Sequence, residues 1–526
     1  MKTLHIGYFG RGIADDYVKA RIGECSICKQ FDIFTYPYRL QPLRGMTNSG
    51  ELTGSALRNM ILGANGGMYG IGEDPNNPGR GELYKRTGYG ASDFWQDFNT
   101  DQLSGFNQTE SEGHFDFLVH FPEMGAVRKL FWSSTNVLVA SDPDDAGGSA
   151  DTDPLVFNTI GQGLVHPKDK ILYFPYKTTT QAFIGKITSH ATDPFGTINY
   201  TAFEFSNRYR TYCLSHYGDY LAIPMTISGL SGNVLQSVVG LWNRDTSNTL
   251  FSETIPWGSG VLKVLNNLNG VLIGISVLSG ETVAGAQDVD KIQIKIYDGG
   301  TEPYIIKEIT ATRLTSTSPS CVINHRVNFI HNNRLYFSAN VINGDSKANY
   351  YGLWSVGKNK NDEWTVILER VATNDNSETR IIAAAMTGDF LSTIHTSAGT
   401  LTYTVNGNTL SNIYNATSIF ESGINPNMDI DDAMKKKKFI GVYATYLPLP
   451  TDGQVVMKYR VDSKKDALWT TIFTETTDGE TRTEALYDAN KLQLKDFTNV
   501  EFLLESTEGA IITGFGYKYD ILKSQL

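Results

Sequence analysis

Seven times along this 526-residue chain an apolar strand runs into a tight polar turn and straight out into a second apolar strand. The second strands read Met68-Tyr69-Gly70-Ile71, Leu130-Phe131-Trp132, Leu172-Tyr173-Phe174, Leu221-Ala222-Ile223, Leu272-Ile273-Gly274, Leu335-Tyr336-Phe337 and Leu391-Ser392-Thr393. Counted from their first residues, the steps are 62, 42, 49, 51, 63 and 56 residues. Hairpins repeating every fifty or so residues are the signature of β-propeller blades, with insertions in the longer ones. The turns are Asn65-Gly66-Gly67, Asp169-Lys170, Gly218-Asp219, Asn269-Gly270, Asn332-Asn333-Arg334 and Gly388-Asp389. Most of these residues accept the positive φ that a two-residue hairpin needs. The second hairpin departs from the pattern with a longer connection, Pro122-Glu123-Met124-Gly125. Third strands recur as Ile184-Gly185-Lys186-Ile187, Gly240-Leu241-Trp242, Ile292 to Ile296 and Gly352-Leu353-Trp354, and Trp364 to Leu368 reads as an outer strand. The expected core of the chain is a propeller of about seven blades, with six or eight as the alternatives, over residues 53–421.

The flanks read differently. Residues 1–52 form an N-terminal arm outside the repeat: a strand from Thr3 to Phe9, a short helix from Ala14 to Ile22, then an aromatic stretch from Phe31 to Arg44 broken by Pro37 and Pro42. Such an arm folds by lying on its own propeller or on a neighbouring subunit. Thr3–Phe9 is the expected partner for the open edge of the last blade. Beyond Asn425-Pro426, strands at 439–446, 455–461, 470–474, 481–486, 497–505 and 511–519 are spaced as in a β-sandwich, which defines a C-terminal domain over 422–526. The chain is therefore read as all-β: arm, propeller, sandwich. Fifty Gly and 27 Tyr suit that class.

A net charge of −11 argues against nucleic acid or an anionic membrane as the main partner. The one basic run, Lys435 to Lys438, follows Asp429, Asp431 and Asp432 and reads as a solvated linker. The first residues lack the apolar core of a secretory signal, and no window approaches a membrane span. Four cysteines make no disulfide framework, so synthesis in a reducing cytoplasm is expected. The sequons at Asn107, Asn199 and Asn415 are then chance matches.

The search for chemistry returns no catalytic, cofactor-binding or metal-ligating residue. The nine histidines (His5, His114, His120, His166, His190, His216, His325, His331 and His395) stand singly, without zinc-ligand spacing. His166 and His216 lie beside turns and read as hydrogen-bonded structural residues. Cys25-Ser26-Ile27-Cys28 lacks the second pair a zinc site needs and the strand–helix context of a redox dithiol. The acidic stretch Asp142 to Asp153 is the best calcium candidate, but its spacing lacks an EF-hand's order and its terminal Glu. The glycine clusters Gly63 to Gly67 and Gly79 to Gly90 carry no Gly-Lys-Ser/Thr and read as turns. Asp462 to Trp469 approaches the turn of sialidase-type propellers, yet it lacks the Gly and lies outside the blades. Loop aromatics (Tyr36, Tyr38, Tyr89, Phe94, Trp95, Tyr176, Tyr350, Tyr351) suit sugar stacking or a protein interface, about half of them being blade core instead.

The propeller-to-sandwich transition carries the phrases Ile419-Phe420-Glu421-Ser422-Gly423-Ile424, Lys438-Phe439-Ile440-Gly441-Val442, Tyr459-Arg460-Val461-Asp462 with Trp469, and Ile512 to Asp520. In these it resembles virion proteins of tailed bacteriophages. The resemblance covers the last hundred or so residues and the blades in style alone. It implies a non-enzymatic structural protein of the tail, neck or host-attachment apparatus, located in the virion. It further implies a homo-oligomer that contacts other virion proteins and a host-surface glycan, without cofactor, nucleic acid or membrane insertion. The competing expectation is a carbohydrate-binding or glycoside-cleaving propeller, and a third is a peptide-binding scaffold.

Overall fold

The computed structural model describes residues 1–13, 23–48, 56–63, 66–73, 80–88, 95–97, 103–104, 118–124, 127–134, 137–141, 151–153, 159–188, 197–227, 236–278, 289–312, 321–341, 350–371, 380–388, 390–397, 400–406, 417–462, 468–486 and 496–522. Within them, seven antiparallel four-stranded meanders follow one another as blades 1 to 7. Their first strands are Ala56–Leu62, Leu118–Met124, Thr159–Ile160 with Leu164–Val165, Tyr209–Arg210 with Ser215–Tyr217, Val261–Leu268, Cys321–His331 and Arg380–Thr387. These first strands pack against each other around a ring, blade 7 returning to blade 1. Blades 3 and 4 meet through a parallel bridge between Gln162 and Cys213. First strands are therefore innermost, as in a propeller.

The hairpin turns behave as their residues dictate. Lys170, Gly218, Asn269, Gly270, Asn332, Asn333 and Gly388 all adopt positive φ, the conformation that reverses a right-twisted pair of strands. The third strands expected at Ile184, Gly240, Ile292 and Gly352 fall within Gln181–Thr188, Gln236–Trp242, Val289–Tyr297 and Tyr350–Lys358.

Ring closure differs from expectation. The outer strand of blade 7 is Met46–Asn48, paired Met46 with Asn406, Thr47 with Val405 and Asn48 with Thr404. Thr3–Phe9 does not pair into the last blade; Lys2–Ile6 instead pairs with Ile512–Ile521 of the sandwich. The reason is connectivity: blade 7 borders blade 1, so the segment just upstream of blade 1 lies nearest the open edge. Leu4 and Ile6 meanwhile find an apolar face in the sandwich core. The expected helix at Ala14–Ile22 lies outside the described residues.

The sandwich is completed by the N-terminus. One sheet orders Lys2–Ile6, Ile512–Ile521, Lys437–Tyr446 and Arg482–Leu486. The other runs Glu24–Lys29, Ser418–Ser422, Val500–Thr507, Gln454–Val461 and Thr470–Glu475. The strand Ser418–Ser422 thus spans the expected divide at 421/422, and the strands Lys2–Ile6 and Glu24–Lys29 of the expected arm pair into the sandwich sheets. Between the sheets lie the buried rings of Phe439, Phe497, Phe502, Phe515, Tyr517 and Tyr519, with Phe439 and Phe497 stacked at 4.1 Å. The basic run is not simply a linker. Lys437 begins a strand and is fully buried, its Nζ donating to the carbonyls of Asp432 at 2.7 Å and Lys435 at 2.5 Å. That caps the short helix Ile430–Ala433, where a cation is favoured.

Propeller and sandwich share a sheet. Glu24–Lys29 runs parallel to the outer strand of blade 6 at Lys29–Leu368, and Gln30 N donates to Leu368 O at 2.9 Å. Arg334 of blade 6 bonds Glu369 at 2.9 Å and Asp32 at 3.1 Å, its guanidinium 4.1 Å over the Phe34 ring. Lys307 of blade 5 pairs with Glu24 at 3.4 Å, both nearly buried. The N-terminal segment is thus a strap that fastens one domain to the other.

Candidate functional site at the propeller axis

Every innermost strand is irregular. Blade 1 is bulged between Leu57 and Asn59, so Arg58 is the extra residue, and blade 2 between Phe121 and Met124. Blade 5 is bulged at Lys263, blade 6 at His325 to Val327, and blade 7 at Ile382. In blades 3 and 4 the strand breaks in two, around Gly161 to Gly163 and Thr211 to Leu214. Bulges re-aim side chains and collect beside binding sites. Gly161 shows how tightly the ring is drawn: a Cβ there would meet the carbonyl oxygens of Thr211 and Tyr212 at 2.9 Å each.

The chemistry of these strands reverses that of the whole chain. They carry Arg58, Arg210, Lys263, Arg326 and Arg380, and a single carboxylate, Glu123. Tyr212 of blade 4, 7% exposed, meets two of these cations. The Arg210 guanidinium lies 4.7 Å and the Lys263 ammonium 3.9 Å from its ring centre. The His325 ring of blade 6 lies 5.1 Å away, tilted 57°. Blades 4 and 6 are not ring neighbours, so this contact is made on the axial side of blade 5. Among the described residues, neither the Arg210 nor the Lys263 side chain has a hydrogen-bond or ion-pair partner. Around them carboxamides tie the strands together. Asn266 donates to Asn328 at 2.8 Å, Asn328 to the His325 carbonyl at 2.5 Å, and Asn59 to Gln162 at 3.4 Å. A cavity of about 10 Å³ beside Arg210, lined also by Tyr176, Lys177, Phe205 and Tyr209, has room for about one water.

The residues singled out in sequence are placed elsewhere. His166 is fully buried between blades 3 and 4. Its Nδ1 accepts from Lys168 N at 3.3 Å and Arg244 at 3.2 Å, which leaves Nε2 to donate to the Tyr220 carbonyl at 3.3 Å. Asp169 accepts from Tyr173 at 2.9 Å and from Arg244. Burial, then the Arg244 charge, lowers the His166 pKa; burial alone lowers that of His216. Cys25 and Cys28 are buried free thiols of one strand, and burial raises Cys25 well above the ordinary range. Asp462 is structural, its carboxylate accepting from Thr498 N and Asn499 N at 2.6 and 2.8 Å. Among the described residues no three His, Cys, Asp or Glu groups gather to hold a metal. Residues 142–150 of the acidic stretch lie outside the described residues. Of the loop aromatics, Trp95, Tyr176 and Tyr351 are core, while Tyr38 is 62% exposed and Tyr36 lies beneath the Arg39 guanidinium at 4.0 Å. Tyr89 and Phe94 lie outside the described residues.

Sequence reasoning passed over Arg210, Tyr212 and Lys263. The signal available was compositional: basic residues on otherwise apolar first strands of an acidic chain.

No family model and no curated protein sequence matches the chain. Among solved structures, a Trypanosoma rangeli sialidase in complex with the inhibitor DANA is similar at a TM-score of 0.36 and 8% identity, covering 99% of this chain and 97% of that one. A GH43 endo-arabinanase from Bacillus licheniformis is similar at 0.27 and 10%, covering 49% of this chain and 99% of its own. A chain of the mitotic checkpoint complex is similar at 0.28 and 10%, over 56% of this chain and 86% of that chain. At such scores the likenesses carry no functional weight for this chain; the propeller assignment rests on the ring of sheets itself.

Proposed function

We propose that this chain is a non-enzymatic structural protein of a virion, part of the tail, neck or host-attachment apparatus of a tailed bacteriophage, working through protein–protein assembly as a homo-oligomer. The observation that supports an assembly role is the strap. The sheet of blade 6 continues through Glu24–Lys29 into the sandwich, and the ion pairs Arg334–Asp32 and Lys307–Glu24 lock the joint. A disc and a sandwich fused this way present two faces at a fixed angle, which suits a part that must transmit position between neighbours. The virion assignment itself comes from the phrases of the last hundred residues. A contact surface is available on the strap, where exposed Tyr38 packs on Tyr8 at 5.2 Å and bonds Asn361 at 3.4 Å.

Native mass by light scattering, with negative-stain images of the same peak, tests the reading. A ring or stack of one fixed symmetry is expected. A monomer that also fails to bind isolated phage particles overturns it. The second reading, a carbohydrate-binding propeller, is favoured by the solvent-facing Tyr36 and Tyr38. Glycoside cleavage needs two facing carboxylates some 5–10 Å apart, and the first strands carry Glu123 alone. A glycan screen separates binding from assembly.

A further inference from the structure

We propose that the axial mouth between blades 4, 5 and 6 is an oxyanion site, taking a carboxylate or phosphate group between Arg210 and Lys263. Three observations converge. First, both cations converge on one aromatic ring, at 4.7 and 3.9 Å from its centre, and among the described residues neither has an anionic partner. Two like charges so placed repel each other, and a bound anion removes that repulsion. Secondly, the placement is built rather than incidental. Lys263 is the extra residue of a bulge and Arg210 ends a strand fragment, so backbone irregularity holds both charges at the axis. Thirdly, the chain had acid to spare: 56 Asp and Glu against 45 Lys and Arg, yet the seven first strands carry one carboxylate. A guanidinium and an ammonium held at one ring can supply charge-assisted donors to one small oxyanion. The nearby Asn266 and Asn328 amides fix the strands that carry the site.

The site does not depend on whether the chain sits in a particle. Titration calorimetry of the full chain at low salt, with N-acetylneuraminic acid, inorganic phosphate and neutral N-acetylglucosamine as probes, tests it. At least one anion is expected to bind at the millimolar level or better, weakening as salt is added. Arg210→Gln and Lys263→Gln should each weaken it roughly tenfold or more. Thermal melts matching the parent establish that both variants are folded; Arg210 is exposed, so its variant keeps the test alive if Lys263→Gln does not fold. Binding of the acidic sugar alone assigns an acidic glycan as the source, and binding of phosphate alone assigns free phosphate. No binding of either anion, equal binding of the neutral sugar, or binding unchanged in the Arg210 variant overturns the proposal.

Discussion

At the seam where blades 5 and 6 meet the N-terminal strap of the sandwich, Arg334 meets Glu369 at 2.9 Å and Asp32 at 3.1 Å, and Lys307 meets Glu24 at 3.4 Å. At the mouth of the propeller axis, Arg210 and Lys263 meet a tyrosine ring. Both regions gather cations from distant parts of the chain. At the seam water is excluded, and a buried charge without a partner would cost several kcal/mol, so each cation comes with its carboxylate. At the mouth Arg210 keeps its solvent, and the charges can stand open at little cost. Cations paired within the chain hold the chain together; cations left open are addressed to something outside it.

The largest effect should come from breaking a seam pair. Arg334→Ala strands the Glu369 and Asp32 carboxylates in a nearly dry joint, and a loss of roughly 3–5 kcal/mol is expected. Urea unfolding followed by tryptophan fluorescence would measure it. A loss below about 1 kcal/mol would mean that water reaches the joint and that the strap is held by backbone pairing instead. Next in size is Gly161→Ala. Its new methyl group would press on two backbone carbonyls of blade 4 that cannot swing aside, so overpacking of roughly 1–3 kcal/mol is expected. Were that variant as stable as the parent, the blade 3–4 contact would be looser than the bridge between Gln162 and Cys213 implies, and the axial charges would be less firmly held.

The propeller was legible because its code is local. A hairpin turn is written in adjacent residues, Asn269-Gly270 or Asn332-Asn333, whose positive φ the structure reproduces. The six sandwich strands were legible for the same reason. The pairing of Lys2–Ile6 with Ile512–Ile521 was not, because a ladder between the two ends of a chain leaves no trace in either segment's own pattern. The same limit hid the closing strand: Met46–Asn48 is three residues long and has no turn of its own. The axial cluster was hidden by a different physics. Bulges lack a fixed local motif, so nothing in Leu262-Lys263-Val264 announces that the lysine is turned toward a tyrosine fifty-one residues upstream.

A smaller effect, and one with a sign, separates the seam from the turn cluster between blades 3 and 4. His166 and His216 have folded-state pKa values below the ordinary 6.5. Between those lowered values and 6.5 the unfolded chain binds more protons than the folded one, so stability is full above about pH 6.5 and declines as pH falls through that window. Melting temperature should therefore drop between pH 7.5 and 5, and His166→Asn should flatten the profile. A profile as steep in the variant as in the parent would shift the burden to His216 or to other groups.

The smallest effect is expected where charges are most conspicuous. Removing both axial cations, as Arg210→Gln with Lys263→Gln, takes away two cation–π contacts, each worth roughly 0.5–1 kcal/mol at a partly open site. It also removes the repulsion between two like charges, a term of the same order and opposite sign. The double variant should lie within about ±0.5 kcal/mol of the parent, and should gain slightly at low salt, where the repulsion is least screened. Melts at two ionic strengths would read this directly. A loss of more than about 1 kcal/mol, insensitive to salt, would place Arg210 and Lys263 with the seam residues as cations that hold the fold; stability kept and anion binding lost would leave them as charges whose partner comes from solution.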